Sequence, residues 1–149
     1  MVTTVGTESS LEDLLIDLIE LDYDAADAYQ AAIDRLQDAG FRSALTGFRQ
    51  DHLRHIEEVG ELLSAMGGKP PKEGDMKRLL AKGKVVVAGL MGDKAILQAM
   101  KTNEDDTNTA YERAVKHDDA PDTVLVVLER ALADERRHRD WMVETIARL

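Results

Sequence analysis

The chain has no cysteine. That excludes disulfides, thiolate zinc sites, iron–sulfur clusters and a Cys nucleophile, and leaves only oxygen and nitrogen donors for any metal. Aromatics make up 4% of the residues and β-branched runs are scarce, whereas Ala, Leu, Glu, Asp and Arg dominate, a mixture that favours helices. Basic residues are in deficit, 19 against 29 acidic ones, for a formal net charge of −10. Such a surface repels phosphate fields, so neither nucleic acid nor an anionic membrane is an expected partner. The longest apolar run, Val85 to Met91, is too short to span a bilayer, and residues 1–10 lack the basic and apolar regions of a signal peptide. A cytoplasmic protein is expected.

A chain of 149 residues is long enough for one domain with a substantial core. The spacing of apolar residues predicts four long helices. The first starts near Leu11, after a Ser9-x-x-Glu12 capping box, and stops before Gly40. The second runs from about Ser43 to Ala65 and is ended by Gly67–Gly68 and Pro70–Pro71. Residues 67–92 form a long crossover holding a possible short helix, Asp75 to Val87. Asp93 is the expected N-cap of the third helix, and the fourth begins near Pro121 or Asp122. Two helix pairs joined by a long crossover predict an all-α four-helix bundle over 1–149, with residues 1–10 as a tail.

Each apolar stripe has a step filled by ionisable residues. Asp22 interrupts the first, His52 and His55 the second, Glu104 the third, and Glu135 and His138 the fourth. The pattern is a duplication: Asp22 and Tyr29 recur as Glu104 and Tyr111 at an offset of 82, and His52 and His55 recur as Glu135 and His138 at an offset of 83. Six inward ionisable groups need neutralising, because an unpaired buried charge costs several kcal/mol. One or two divalent cations would do so, and residues three apart on a helix can reach one ion together.

A carboxylate on each of two helices, with Glu-x-x-His or its equivalent on the other two, resembles the ferritin-like di-metal carboxylate proteins, among them rubrerythrins and bacterioferritins. Asp134-Glu135-Arg136-Arg137-His138 matches that family's Asp-Glu-x-x-His, and the likeness extends from Leu11 to Leu149. It is closest to a small bacterial stress-associated branch. The resemblance implies that Asp22 and Glu104 are terminal ligands, Glu135 a bridging one, and His55 and His138 nitrogen ligands. It further implies that Asp51 and Asp134 receive the free ring N–H of the His on the opposite helix. Tyr29 and Tyr111, on the ligand face, are read as core tyrosines within reach of the site. His52 departs from the pattern, standing where the family has Glu. With it, three carboxylates face the +4 charge of two divalent ions, leaving the balance to a bound hydroxide or oxide, or to one strong and one weak metal position.

The expected function is that of a metal protein with two divalent ions, iron first and manganese or zinc open, oxidising Fe(II) or reducing dioxygen or hydrogen peroxide. Oxidative-stress protection or metal handling is the expected setting, with an external electron donor and a homodimeric assembly. The competing expectation is a non-catalytic stress protein, structural or partner-binding, whose zinc, single-ion or relic site only holds the bundle. His117 reads as a favourable charge at a helix C-terminus, Trp141 as packing or a subunit interface, and Asp105–Asp106 and Glu57–Glu58 as solvated faces.

Overall fold

The computed structural model describes residues 3–73, 87 and 89–149. It is a four-helix bundle of α1 (Leu11–Arg35), α2 (Ala39–Ala65), α3 (Asp93–Ala114) and α4 (Asp122–Ala147), with no strand among the described residues. Helix α1 packs on α2 and α3, and α4 packs on α2 and α3, so α1–α4 and α2–α3 lie on the diagonals. Tyr29 meets Glu104 and Tyr111 meets Asp22, which makes α1 and α3 antiparallel. His55 meets Asp134 and Asp51 meets His138, which does the same for α2 and α4.

These registers explain the long crossover. Helices α2 and α3 point the same way, so the chain leaving α2 must travel the length of the bundle before α3 begins. At 1.5 Å per residue that is roughly 40 Å, beyond a tight loop. The short helix expected over 75–87 lies outside the described residues, except for Val87, which is buried beside Ala28, Met100 and Met142.

Three helix ends differ from the sequence expectation. Ser10, not Ser9, is the N-cap of α1, its side chain accepting from the Asp13 amide at 3.2 Å. Helix α1 ends at Arg35 and α2 starts at Ala39, capped by Asp38, so Gly40 opens a helix instead of marking an end. Asp93 is not a cap: Gly92, at φ +88°, takes that place, and the Asp93 carboxylate accepts from the Gln37 and Asp38 amides at 2.8 and 2.9 Å. The start of α3 is thereby pinned to the α1–α2 turn. The end of α2 is as expected, Gly67 adopting φ +82° while the Gly68 amide closes on the Leu63 carbonyl.

At the other end of the bundle the N-terminal tail lies against α3. Arg113 donates to the Thr3 and Val5 carbonyls, and Gly6, at φ +102°, sits so close that a Cβ would lie 2.4 Å from Arg113 Cβ. His117 is more than a terminal charge, since its Nε2 donates to the Glu8 carbonyl and its Nδ1 accepts from the Asp119 amide. Two apolar clusters, one around Leu14, Leu18, Leu63 and Leu128 and one around Leu45, Leu97, Met100 and Met142, fill the two ends of the bundle. Between them lies a polar middle layer.

Candidate metal centre

Asp22, His52, His55, Glu104, Glu135 and His138 meet in that layer, none more than 2% exposed. One comes from α1, two from α2, one from α3 and two from α4, each at the gap in its apolar stripe. They form two overlapping groups with geometry suited to a cation, Asp22, His52, His55 and Glu135 in one and His52, Glu104, Glu135 and His138 in the other. Within the first, His52 Nδ1 stands 2.8 Å from Asp22 Oδ1 and 3.4 Å from Glu135 Oε1, while His55 Nδ1 stands 3.4 and 3.3 Å from the same two oxygens. Within the second, Glu104 Oε1 is 3.5 Å from His52 Nε2 and 3.4 Å from His138 Nδ1, which is 3.8 Å from Glu135 Oε2.

Outside these groups the contacts cross between the halves of the chain. His55 Nε2 lies 2.9 Å from Asp134 Oδ2 and His138 Nε2 lies 2.8 Å from Asp51 Oδ2. With one ring proton held there, each Nδ1 is the nitrogen that faces inward, free to bind an ion once it has lost its own proton. Tyr111 donates to Asp22 Oδ2 at 2.5 Å, and Tyr29 donates to Glu104 Oε1. Both phenols are held well above their ordinary pKa, by burial first and by the carboxylate charges beside them, so they act as donors.

The acids and rings polarise one another. Burial would raise the Asp22 and Glu104 carboxyls, yet the histidine rings beside them outweigh it and hold both low. Burial would likewise depress the rings, but the surrounding carboxylates raise His52 to about 10, His55 to about 12 and His138 to about 9. Without an ion, the raised rings and the lowered Asp22 and Glu104 carboxyls favour their charged forms; a cation would displace ring protons and take over their role. The protonated network is incomplete, however. Both Glu135 oxygens and His138 Nδ1 are buried without a hydrogen-bond partner, the nearby groups being close enough to attract but too distant or not aligned to bond.

Several participants escaped the sequence reading. Arg54 and Arg137 each pair with both Asp51 and Asp134, closing the outer edge of the layer. They share the same 83-residue offset, which is the signal that could have found them. Asn108 bridges backbones, its Nδ2 donating to the Glu104 carbonyl at 2.7 Å and the Glu135 carbonyl at 3.0 Å, and nothing in its spacing announces this. Phe48 lies over His138 with ring centroids 4.4 Å apart, and Trp141 packs edge-on against Phe48 and Phe41. Asp105 and Glu58 are not merely solvated: the first pairs with Lys101 and Arg139, the second with Arg54 and Arg130.

The family described as a domain of unknown function, DUF2383, matches residues 10–117. The chain belongs to that family. The DUF2383 match takes in α1 to α3, and so includes Asp22, His52, His55 and Glu104, whereas Glu135 and His138 lie beyond it. No curated protein matches the chain. Its fold is similar to that of the conserved hypothetical protein Rv2844 from Mycobacterium tuberculosis, with a TM-score of 0.76 over 93% of this chain and 98% of that one, at 16% identity. For this DUF2383 member, then, the comparisons establish family and fold, and the buried His/Asp/Glu groups establish a place that could hold metal ions. None of its described helices is long and apolar enough to cross a membrane.

Proposed function

We propose that this chain is a ferritin-like protein with a dinuclear metal centre, iron first, which oxidises Fe(II) with dioxygen or hydrogen peroxide in oxidative-stress protection or metal handling. The observation that carries this reading is the pair of overlapping buried ligand groups in which both Glu135 oxygens and His138 Nδ1 have no hydrogen-bond partner. A buried carboxylate left so costs several kcal/mol, and two divalent cations would engage all three atoms. The donor chemistry fits, since mixed imidazole and carboxylate sets suit iron and zinc.

Asp22 and His55 would hold one ion, Glu104 and His138 the other, with Glu135 between them and His52 adjoining both. When bound, a ferrous pair would supply the two electrons that, with two protons, turn one hydrogen peroxide into two waters. The protein's own part is positioning. Asp134 and Asp51 orient the His55 and His138 rings, Tyr111 and Tyr29 hold the Asp22 and Glu104 carboxylates, and burial of the layer excludes bulk water. An external donor would return the electrons, and a homodimer is the proposed assembly.

Adding Fe(II) aerobically to metal-free protein tests this directly. Stoichiometric oxygen or peroxide consumption with new ligand-to-metal absorption is expected, and its absence would sink the oxidase reading. A second reading, a zinc site that only stabilises the bundle, draws on the two-nitrogen, two-oxygen make-up of each group. It predicts loss of thermal stability on chelation with no consumption of oxidant.

A further inference from the structure

His52 differs from the other two histidines in where its nitrogens point. His55 and His138 each turn Nε2 outward to an aspartate and only Nδ1 inward. His52 turns both inward: Nδ1 lies 2.8 Å from Asp22 Oδ1 and 3.4 Å from Glu135 Oε1, and Nε2 lies 3.5 Å from Glu104 Oε1. It thus divides its two nitrogens between the two ligand groups as Glu135 divides its two oxygens, Oε1 beside His55 Nδ1 and Oε2 beside His138 Nδ1.

The spacing suits ions in both groups. Four ligands placed ~2.0–2.1 Å from a tetrahedral ion stand roughly 3.3 Å apart. The ligand separations run from 2.8 to 3.4 Å in the first group, straddling that value, and from 3.4 to 3.8 Å in the second, slightly above it. Charge points the same way, because Asp22, Glu104 and Glu135 supply three negative charges against the four positive charges of two divalent ions. A ring that bonds through both nitrogens has lost both N–H protons and carries the fourth.

We propose that His52 bridges the two metal ions as an imidazolate, Nδ1 to the ion held by Asp22 and His55 and Nε2 to the ion held by Glu104 and His138, alongside the Glu135 carboxylate. The inference rests on the dinuclear reading above. As the second ion binds, the remaining ring N–H breaks, its proton passes to solvent and a nitrogen–metal bond forms; nothing is oxidised or reduced. Such a bridge favours ions that accept imidazole in a four-coordinate site, such as Co(II), Zn(II) and Cu(II), over oxygen-seeking ones such as Mn(II). It also spreads the pair: a ring between two ions sets them up to roughly 6 Å apart, against ~3.5–4 Å in ordinary two-metal sites.

Crystals of the full chain loaded with Co(II) alone, measured at the cobalt absorption edge, test the bridge. Two ions are expected, each bonded to a different His52 nitrogen. Two ions with only one ring nitrogen bonded would overturn the bridge and leave the dinuclear reading standing, whereas fewer than two ions would overturn both. In solution, His52→Ala should weaken both cobalt sites by at least ~10-fold, and weakening of a single site overturns the bridge. His52→Glu, which keeps an anionic bridge, should still take two equivalents but bring the ions closer together, as read from the spin coupling of the two-copper form. Unchanged coupling between wild type and His52→Glu would overturn the inference.

Discussion

The α1–α2 half and the α3–α4 half place the same chemistry around one point and then part company at individual positions. Tyr29 and Tyr111, Asp51 and Asp134, and Arg54 and Arg137 are counterparts, and each reaches across to the other half. Against that frame His52 stands opposite Glu135, Phe48 opposite Ala131, and Glu58 opposite Trp141. The last two differences act on access. Phe48 lies over His138 with Trp141 packed behind it, whereas beside His55 a cavity of about 290 Å³ between α2 and α4 is lined by Ala131, Arg54, Glu58, Arg130 and Asp134. The outer supports are therefore symmetric, while the central pair and the approach to it are not.

The largest break in this comparison should come from Glu135, whose two oxygens face both ligand groups. Glu135→Gln is expected to lower retention of both ions by at least ~100-fold, read as metal content after dialysis; full retention of either would show that the centre does not depend on it. Next come the counterparts themselves. Asp51→Asn and Asp134→Asn should each weaken metal affinity by ~10–100-fold and by similar factors, since each holds one of the rings proposed as ligands. Titrations giving unequal losses would locate further asymmetry.

The rings offer a finer contrast in the metal-free protein. His55 and His138 are counterparts, yet the His55 pKa is raised to about 12 and the His138 pKa to about 9, burial opposing both and carboxylates prevailing more strongly at His55. A folded-state pKa raised above the unfolded ~6.5 gives stability that is complete below ~6.5 and is lost as pH rises through the folded value. The melting temperature should accordingly fall as pH climbs from neutrality through about 9, with the His138 ring resonances titrating well before those of His55. Simultaneous titration would contradict the assignment. The smallest effect is kinetic: Ala131→Phe, placed beside the cavity, should slow Co(II) uptake several-fold while leaving the final stoichiometry at the wild-type value. An unchanged rate would mean that ions approach by another route.

Much of the fold was legible because burial imposes a period. The apolar rhythm located all four helices, and its interruptions located the six residues that meet in the middle layer. The ends were less legible. Ser9 and Ser10 both precede the run, and only hydrogen bonding to the Asp13 amide distinguishes them. Asp93 resembles a cap in sequence, but its carboxylate satisfies amides of the α1–α2 turn that lie more than 50 residues away. Asn108 was likewise hidden, because its partners are backbone carbonyls on two different helices.

The sequence by itself determined which side chains face inward and that they come in two matched sets, since helical periodicity and a constant offset are properties of the linear chain. Only the tertiary structure decided who meets whom. Crossed pairs such as Tyr29 with Glu104 and His55 with Asp134 depend on antiparallel register between helices, and register is set by packing across the bundle. The direction of the two His52 nitrogens was decided the same way: a ring carries two donors of similar chemistry, and the carboxylates around it fix where each one points.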